Sequence, residues 1–262
     1  MPRPRTAAGL LLALALLPAL TGCFFRKSDQ RASGWLDQMR GLATPEGTIA
    51  LRTVLIERPV GDRYLAHDLW TTAHKPLTHE HSTLLARNGV RIGVFSGVIP
   101  GEFDRLIHSE HATINPLHRT TQPGAPKVIP VNGPLDRCAY QVQTELTAEP
   151  TPVELVAAAC GLSVTAHAVE GGRVRLVCEL QVQHGERQAF LKPTSDGTSF
   201  AREDRKPLEA YPTLTWTLTL GPTDYLVVGP ADDVADTLGR TFFFTGHEDQ
   251  LRQRILVIRT MR

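Results

Sequence analysis

The 262 residues carry 28 Lys and Arg against 27 Asp and Glu, a formal net charge of +1. That balance creates no field to draw in nucleic acid or an acidic surface. The length suits one large or two small domains, and the well-spread Gly and Pro suit many short elements joined by turns.

The chain starts cationic, Met1-Pro2-Arg3-Pro4-Arg5, and continues as an apolar run from Ala7 to Leu20 apart from Gly9 and Pro18. This run is too short to span a bilayer comfortably and ends in small residues, which predicts a secretory signal over 1–22. Its end, Leu20-Thr21-Gly22-Cys23, resembles the lipobox of bacterial lipoproteins. The resemblance implies cleavage before Cys23 and a diacylglycerol on the Cys23 sulfur, with membrane lipid as a partner. At ~0.8 kcal/mol per buried CH₂, several acyl chains hold such a protein almost permanently. Phe24 is not the aspartate that retains many lipoproteins at the inner membrane, which implies the outer membrane and a periplasmic face.

Residues 23–47 are polar and aperiodic and read as a tether. A small α/β module is expected over 48–121. Ile49 to Ile56 reads as a strand, Leu65, Leu69 and Trp70 recur at helical spacing, and Thr78 can cap a second helix that stops at Asn88-Gly89. Val90 to Phe95 reads as a second strand, and Pro100 opens a helix over Phe103, Leu106 and Ile107. This order predicts two neighbouring parallel strands.

From 122 to 262 strand patterns follow without room for helices. Leu214, Trp216, Leu218 and Leu220 alternate with threonines, and two more alternating runs flank Glu170-Gly171-Gly172 as a hairpin. The fold class is therefore α+β: a small N-terminal α/β module followed by an antiparallel β sandwich or open barrel.

Gly161-Leu162-Ser163-Val164, the return Val174-Arg175-Leu176, and the later Asp224-Tyr225-Leu226-Val227-Val228-Gly229 resemble the secretin β-domain over about 153–262. That resemblance implies a β-fold used in envelope assemblies. The 183–211 interval is rich in charge, Pro and Gly and offers no alternating strand of the ~9–11 residues a spanning strand requires, so a pore is not expected. The chain also resembles planctomycete lipoproteins of unknown function, through Asn88-Gly89-Val90-Arg91-Ile92-Gly93, Val182-Gln183-His184-Gly185 and Leu256-Val257-Ile258-Arg259-Thr260. This likeness assigns no activity.

Seven of ten histidines fall between 67 and 118, and His108 and His111 stand three apart beside Glu110. Imidazole with carboxylate can build a zinc shell, so a periplasmic metal-binding module is the alternative reading. The spacings match no zinc signature, and the expected cofactor set is empty. No nucleophile elbow, P-loop or dinucleotide fingerprint occurs. Ser96 reads as a strand-to-loop turn, and Glu203-Asp204 and Asp232-Asp233 as solvated loops. No catalytic residue is assigned.

Cys138 and Cys160 are equidistant from position 149, beside Pro150. Folding the chain back there sets them opposite one another, and an exported protein meets oxidising conditions. A Cys138–Cys160 disulfide is expected, with Cys178 a buried free thiol. The expected role is structural or interaction-based in the envelope, with an unidentified envelope protein as partner and no enzyme activity.

Overall fold

The computed structural model describes residues 47–194, 197–231, 235–246 and 250–261. In chain order the strands are β1 (Ile49–Pro59), β2 (Val90–Phe95), β3 (Thr113–Thr121), β4 (Pro126–Val142), β5 (Thr151–Val169), β6 (Arg173–Gln183), β7 (Gln188–Pro193), β8 (Phe200–Arg205), β9 (Leu208–Ala210), β10 (Trp216–Leu220), β11 (Tyr225–Pro230), β12 (Phe244–Thr245) and β13 (Arg252–Met261). A π-turn at Tyr64–Asp68 leads into α1 (Leu69–Thr72), followed by α2 (His79–Arg87), α3 (Gly101–Ile107) and α4 (Leu238–Phe243).

Three sheets result, and every ladder between named strands is antiparallel. The six-stranded sheet runs β2-β11-β13-β1-β3, with β12 on β13. The five-stranded sheet runs β10-β6-β5-β4, with β9 on β6, and β7 and β8 form a two-stranded sheet among the described residues. None of these orders closes on itself, so the protein is β-rich with open antiparallel sheets.

The expected parallel neighbours β1 and β2 are not neighbours. Two strands from the end of the chain, β11 and β13, lie between them. The β1–β13 and β2–β11 ladders thus cross the boundary drawn near residue 121. Helix spacing could identify the helices but not which distant strand would fill the gap between two strands.

Side-chain alternation fixes the layering. Odd positions of β1, such as Leu51 and Leu55, join Leu226, Leu256 and Ile258 and pack on Leu162, Leu176, Leu180 and Trp216 of the five-stranded sheet. Even positions, Val54 and Ile56, meet Leu65, Leu69, Trp70 and Phe103 of the helices. The six-stranded sheet is thereby covered on both faces, which is why β1 and β13 read as nearly continuous apolar runs. The five-stranded sheet has a wet face, so β10 alternates buried Trp216, Leu218 and Leu220 with exposed Thr217 and Thr219. Full burial of each such side chain stabilises by about 1.5–3 kcal/mol.

Glycines let the layers close. A Cβ on Gly239, in α4, would stand 1.9 Å from the Gly89 carbonyl oxygen. The backbone there is joined by bonds from Gly239 N–H to Asn88 O (2.8 Å) and from Ala231 N–H to Gly89 O (2.9 Å). Helix α2 ends at this crossing, after a start at which Thr78 Oγ1 accepts from His81 N–H.

Candidate functional site

Among the described residues, β7 and β8 form an arm with no third strand. Its base is pinned to β5: Gly185 N–H donates to Val156 O at 2.7 Å, and Lys206 Nζ to Ala157 O at 2.8 Å. Ala157 has φ 49°, an unusual value for a residue with a Cβ, and it turns its carbonyl within reach of Lys206. At the tip, Thr194 N–H donates to Ser199 O and Gly197 N–H to Thr194 O, both at 2.9 Å.

Directly opposed residues of an antiparallel pair share a face. Gln188, Phe190 and Lys192 therefore stand with Arg205, Glu203 and Ala201. There the Arg205 guanidinium covers the Phe190 ring at 4.6 Å from its centroid. The other face carries Ala189, Leu191, Pro193 and Phe200, beside an Arg202–Asp204 ion pair of 2.9 Å. Leu191 is 72% and Phe200 68% exposed, and every β8 residue is exposed. Leaving a Leu and a Phe in water forgoes about 1.5–3 kcal/mol apiece. The arm thus carries an exposed apolar face with a charged rim.

This arm is hidden in the sequence: 183–211 reads as a charged interval, because the two strands are six residues each and mostly charged or small. The available signal was the apolar Phe190-Leu191 pair and Phe200 at the two ends of a Gly-containing turn.

Cys23 lies outside the described residues. The expected Cys138–Cys160 disulfide is not seen among the described residues, where Cys138, Cys160 and Cys178 are free and buried. Val142 pairs with Thr151, so the hairpin folds about Leu146-Thr147, not Glu149. Bulges between Pro130 and Leu135 shift the register again, and Cys138 faces Leu155 while Cys160 faces Asn132. Burial raises the Cys138 thiol pKa. Burial first, and the neighbouring Cys138 second, push Cys160 up to about 12. Burial also raises Cys178. All three are held as thiols at neutral pH.

The histidine block does not gather. His108 Nδ1 lies 2.9 Å from Asp104 O and 3.4 Å from Asp104 Oδ1, while the His111 N–H donates to Ser109 Oγ. Burial lowers the His81 pKa. Among the described residues, no three His, Cys, Asp or Glu side chains converge as a metal shell would require. Ser96 is exposed in the loop after β2, and Glu203 and Asp204 sit on the arm. Asp232 and Asp233 lie outside the described residues.

Concavities adjoin the helices, among them an open one of about 420 Å³ lined by Leu77, His79, Ser82 and Ala86. An apolar one of about 180 Å³ lies between α2 and β2, lined by Trp70, Leu85 and Ile92. A polar cleft of about 350 Å³ lies between β4 and α4, lined by Arg137, Cys138, Asp236 and Arg240. Burial raises the pKa of the thiol in its lining, Cys138. Among the described residues no helix is long and apolar enough to cross a membrane.

No family model and no curated protein matches the chain. Among solved structures, the chain is similar to the β-barrel of the InvG secretin domain from the Salmonella SPI-1 injectisome, at 9% identity and a TM-score of 0.23, covering 88% of this chain and 67% of that one. Two further Salmonella structures, of the injectisome secretin InvG and of the basal body proteins InvG, PrgH and PrgK, give 10% identity and a TM-score of 0.21. They cover 88% of this chain and 69% and 49% of theirs. Superposition at this level establishes neither a shared fold nor a shared activity.

Proposed function

We propose that this chain is a lipid-anchored cell-envelope protein with a structural or protein-interaction role, held in the outer membrane through acylated Cys23 and facing the periplasm. The β7–β8 arm is its contact element, and it performs no catalysis. The lipobox-like Leu20-Thr21-Gly22-Cys23 supports the anchor. The single observation that carries the interaction role is the arm's unburied face of Ala189, Leu191, Pro193 and Phe200. A folded chain gains nothing by keeping these side chains in water, whereas a partner that covers them gains their burial.

Two variants test the reading. Cys23→Ser should move the protein from the membrane fraction to the soluble fraction or leave an uncleaved precursor. Leu191→Asp with Phe200→Asp should leave it in the membrane but remove a defined envelope protein from its detergent-solubilised complex. An unmodified Cys23 by mass spectrometry contradicts the anchor, and an unchanged complex contradicts the arm's role.

A further inference from the structure

One row of the six-stranded sheet crosses five strands. Phe95 stands opposite Tyr225, Tyr225 opposite Arg259, Arg259 opposite Arg52, and Arg52 opposite His118. Opposed residues share a face, so all five project on the helix side. Phe103 of α3 covers the apolar end, its ring centroid 4.7 Å from Phe95 and 5.8 Å from Tyr225. The apolar cluster stops at Tyr225, and the row continues as Arg259, Arg52 and His118.

Two guanidiniums directly opposite one another in a sheet repel. Among the described residues neither has an ion-pair partner, although Glu57 takes Arg252 and Arg254 on the same strands. The Arg52 side chain makes no hydrogen bond among the described residues, and its Nε is shut off from solvent without a partner. Arg259 is held in place: it stacks over the Tyr225 ring at 4.9 Å, and Nη1 donates to Tyr225 Oη at 2.8 Å. Nη2 reaches Pro222 O at 3.5 Å and Nε is also unpartnered. The two arginines stand at paired positions one strand spacing apart, without an ion-pair partner among the described residues, and an exposed imidazole lies beyond; guanidiniums so placed suit the tetrahedral oxygens of a phosphate.

We propose that Arg52, Arg259 and His118 form a binding site for a phosphate-bearing anion, with Tyr225 positioning Arg259. The anion neutralises the opposed guanidiniums. The phosphate is either free or the headgroup of an anionic phospholipid. The lipid source rests on the proposed anchor, since Arg52 lies three residues into β1, where the chain enters the sheet; the oxyanion chemistry does not.

The test uses the full chain carrying Cys23→Ser, so that no acyl group assists membrane binding. Inorganic phosphate is titrated calorimetrically, and flotation is compared with vesicles of phosphatidylglycerol and of phosphatidylcholine. Expected is saturable phosphate binding, or flotation with phosphatidylglycerol alone, weakened about tenfold or more by Arg52→Gln and by Arg259→Gln. Tyr225→Phe keeps every charge and should weaken binding less. Phosphate binding without flotation assigns a free anion, and selective flotation without phosphate binding assigns the headgroup. Absence of both in the parent chain overturns the site without reference to any variant. Binding unchanged in Arg52→Gln and Arg259→Gln of parental melting temperature overturns it equally.

Discussion

Asn88 and Gln143 exchange two buried hydrogen bonds: Gln143 N–H donates to Asn88 Oδ1, and Asn88 Nδ2 donates to Gln143 O, both at 2.8 Å. Nδ2 also reaches Leu84 O at 2.9 Å. One amide thus closes the end of α2 and fastens it to the start of the β4–β5 turn.

Asn88→Ala should therefore cost about 2–4 kcal/mol, because it strands a buried donor and acceptor of Gln143. Urea unfolding should show a lower midpoint at an unchanged slope. Asn88→Asp keeps acceptance from Gln143 but cannot donate, and should also destabilise. A change within 0.5 kcal/mol for Asn88→Ala would show that the two elements hold together without it.

Gly239→Ala places a Cβ 1.9 Å from the Gly89 carbonyl oxygen, a backbone atom that cannot turn aside. The loss should be about 2 kcal/mol or more. Gly101→Ala, at the start of α3, meets nothing within 4 Å and has no positive φ. It should be neutral or stabilise by a few tenths of a kcal/mol. Thermal melting of the two variants side by side checks the contrast.

The cysteines give a chemical and a pH test. Cys138, Cys160 and Cys178 should be inert to a thiol reagent in the native protein and all three reactive after denaturation without reductant. One reactive thiol among them would restore the Cys138–Cys160 bond. Because burial raises Cys160 from 9.0 to about 12, the folded state holds that proton more tightly than the unfolded chain. Its contribution is complete below pH 9 and is lost as pH rises towards about 12. Cys160→Ala should flatten the decline of stability above pH 9.

Much of the secondary structure was legible because it is local. Alternation in β6 and β10, the Thr78 cap and the Asn88-Gly89 stop are written in neighbouring residues. The order β2-β11-β13-β1-β3 was not, because β1 and β13 are both apolar on two faces and nothing in either names its neighbour. The same limit explains the Cys138 register: Pro150 marked a turn, but the bulges between Pro130 and Leu135 follow from packing. The arm was hidden because its short strands carry charge, and the cationic row because Arg52, Arg259 and His118 are far apart in sequence and meet only through strand pairing.

Site-specific photo-crosslinking from the arm in intact cells tests the central claim most directly. A photoreactive residue at Leu191 or at Phe200 should give one discrete adduct with an envelope protein. The adduct should vanish when the other of the two residues is changed to Asp. The same probe at Val98, which is 98% exposed on another loop, should not give that adduct. No adduct from the arm, or the same adduct from Val98, would contradict the account.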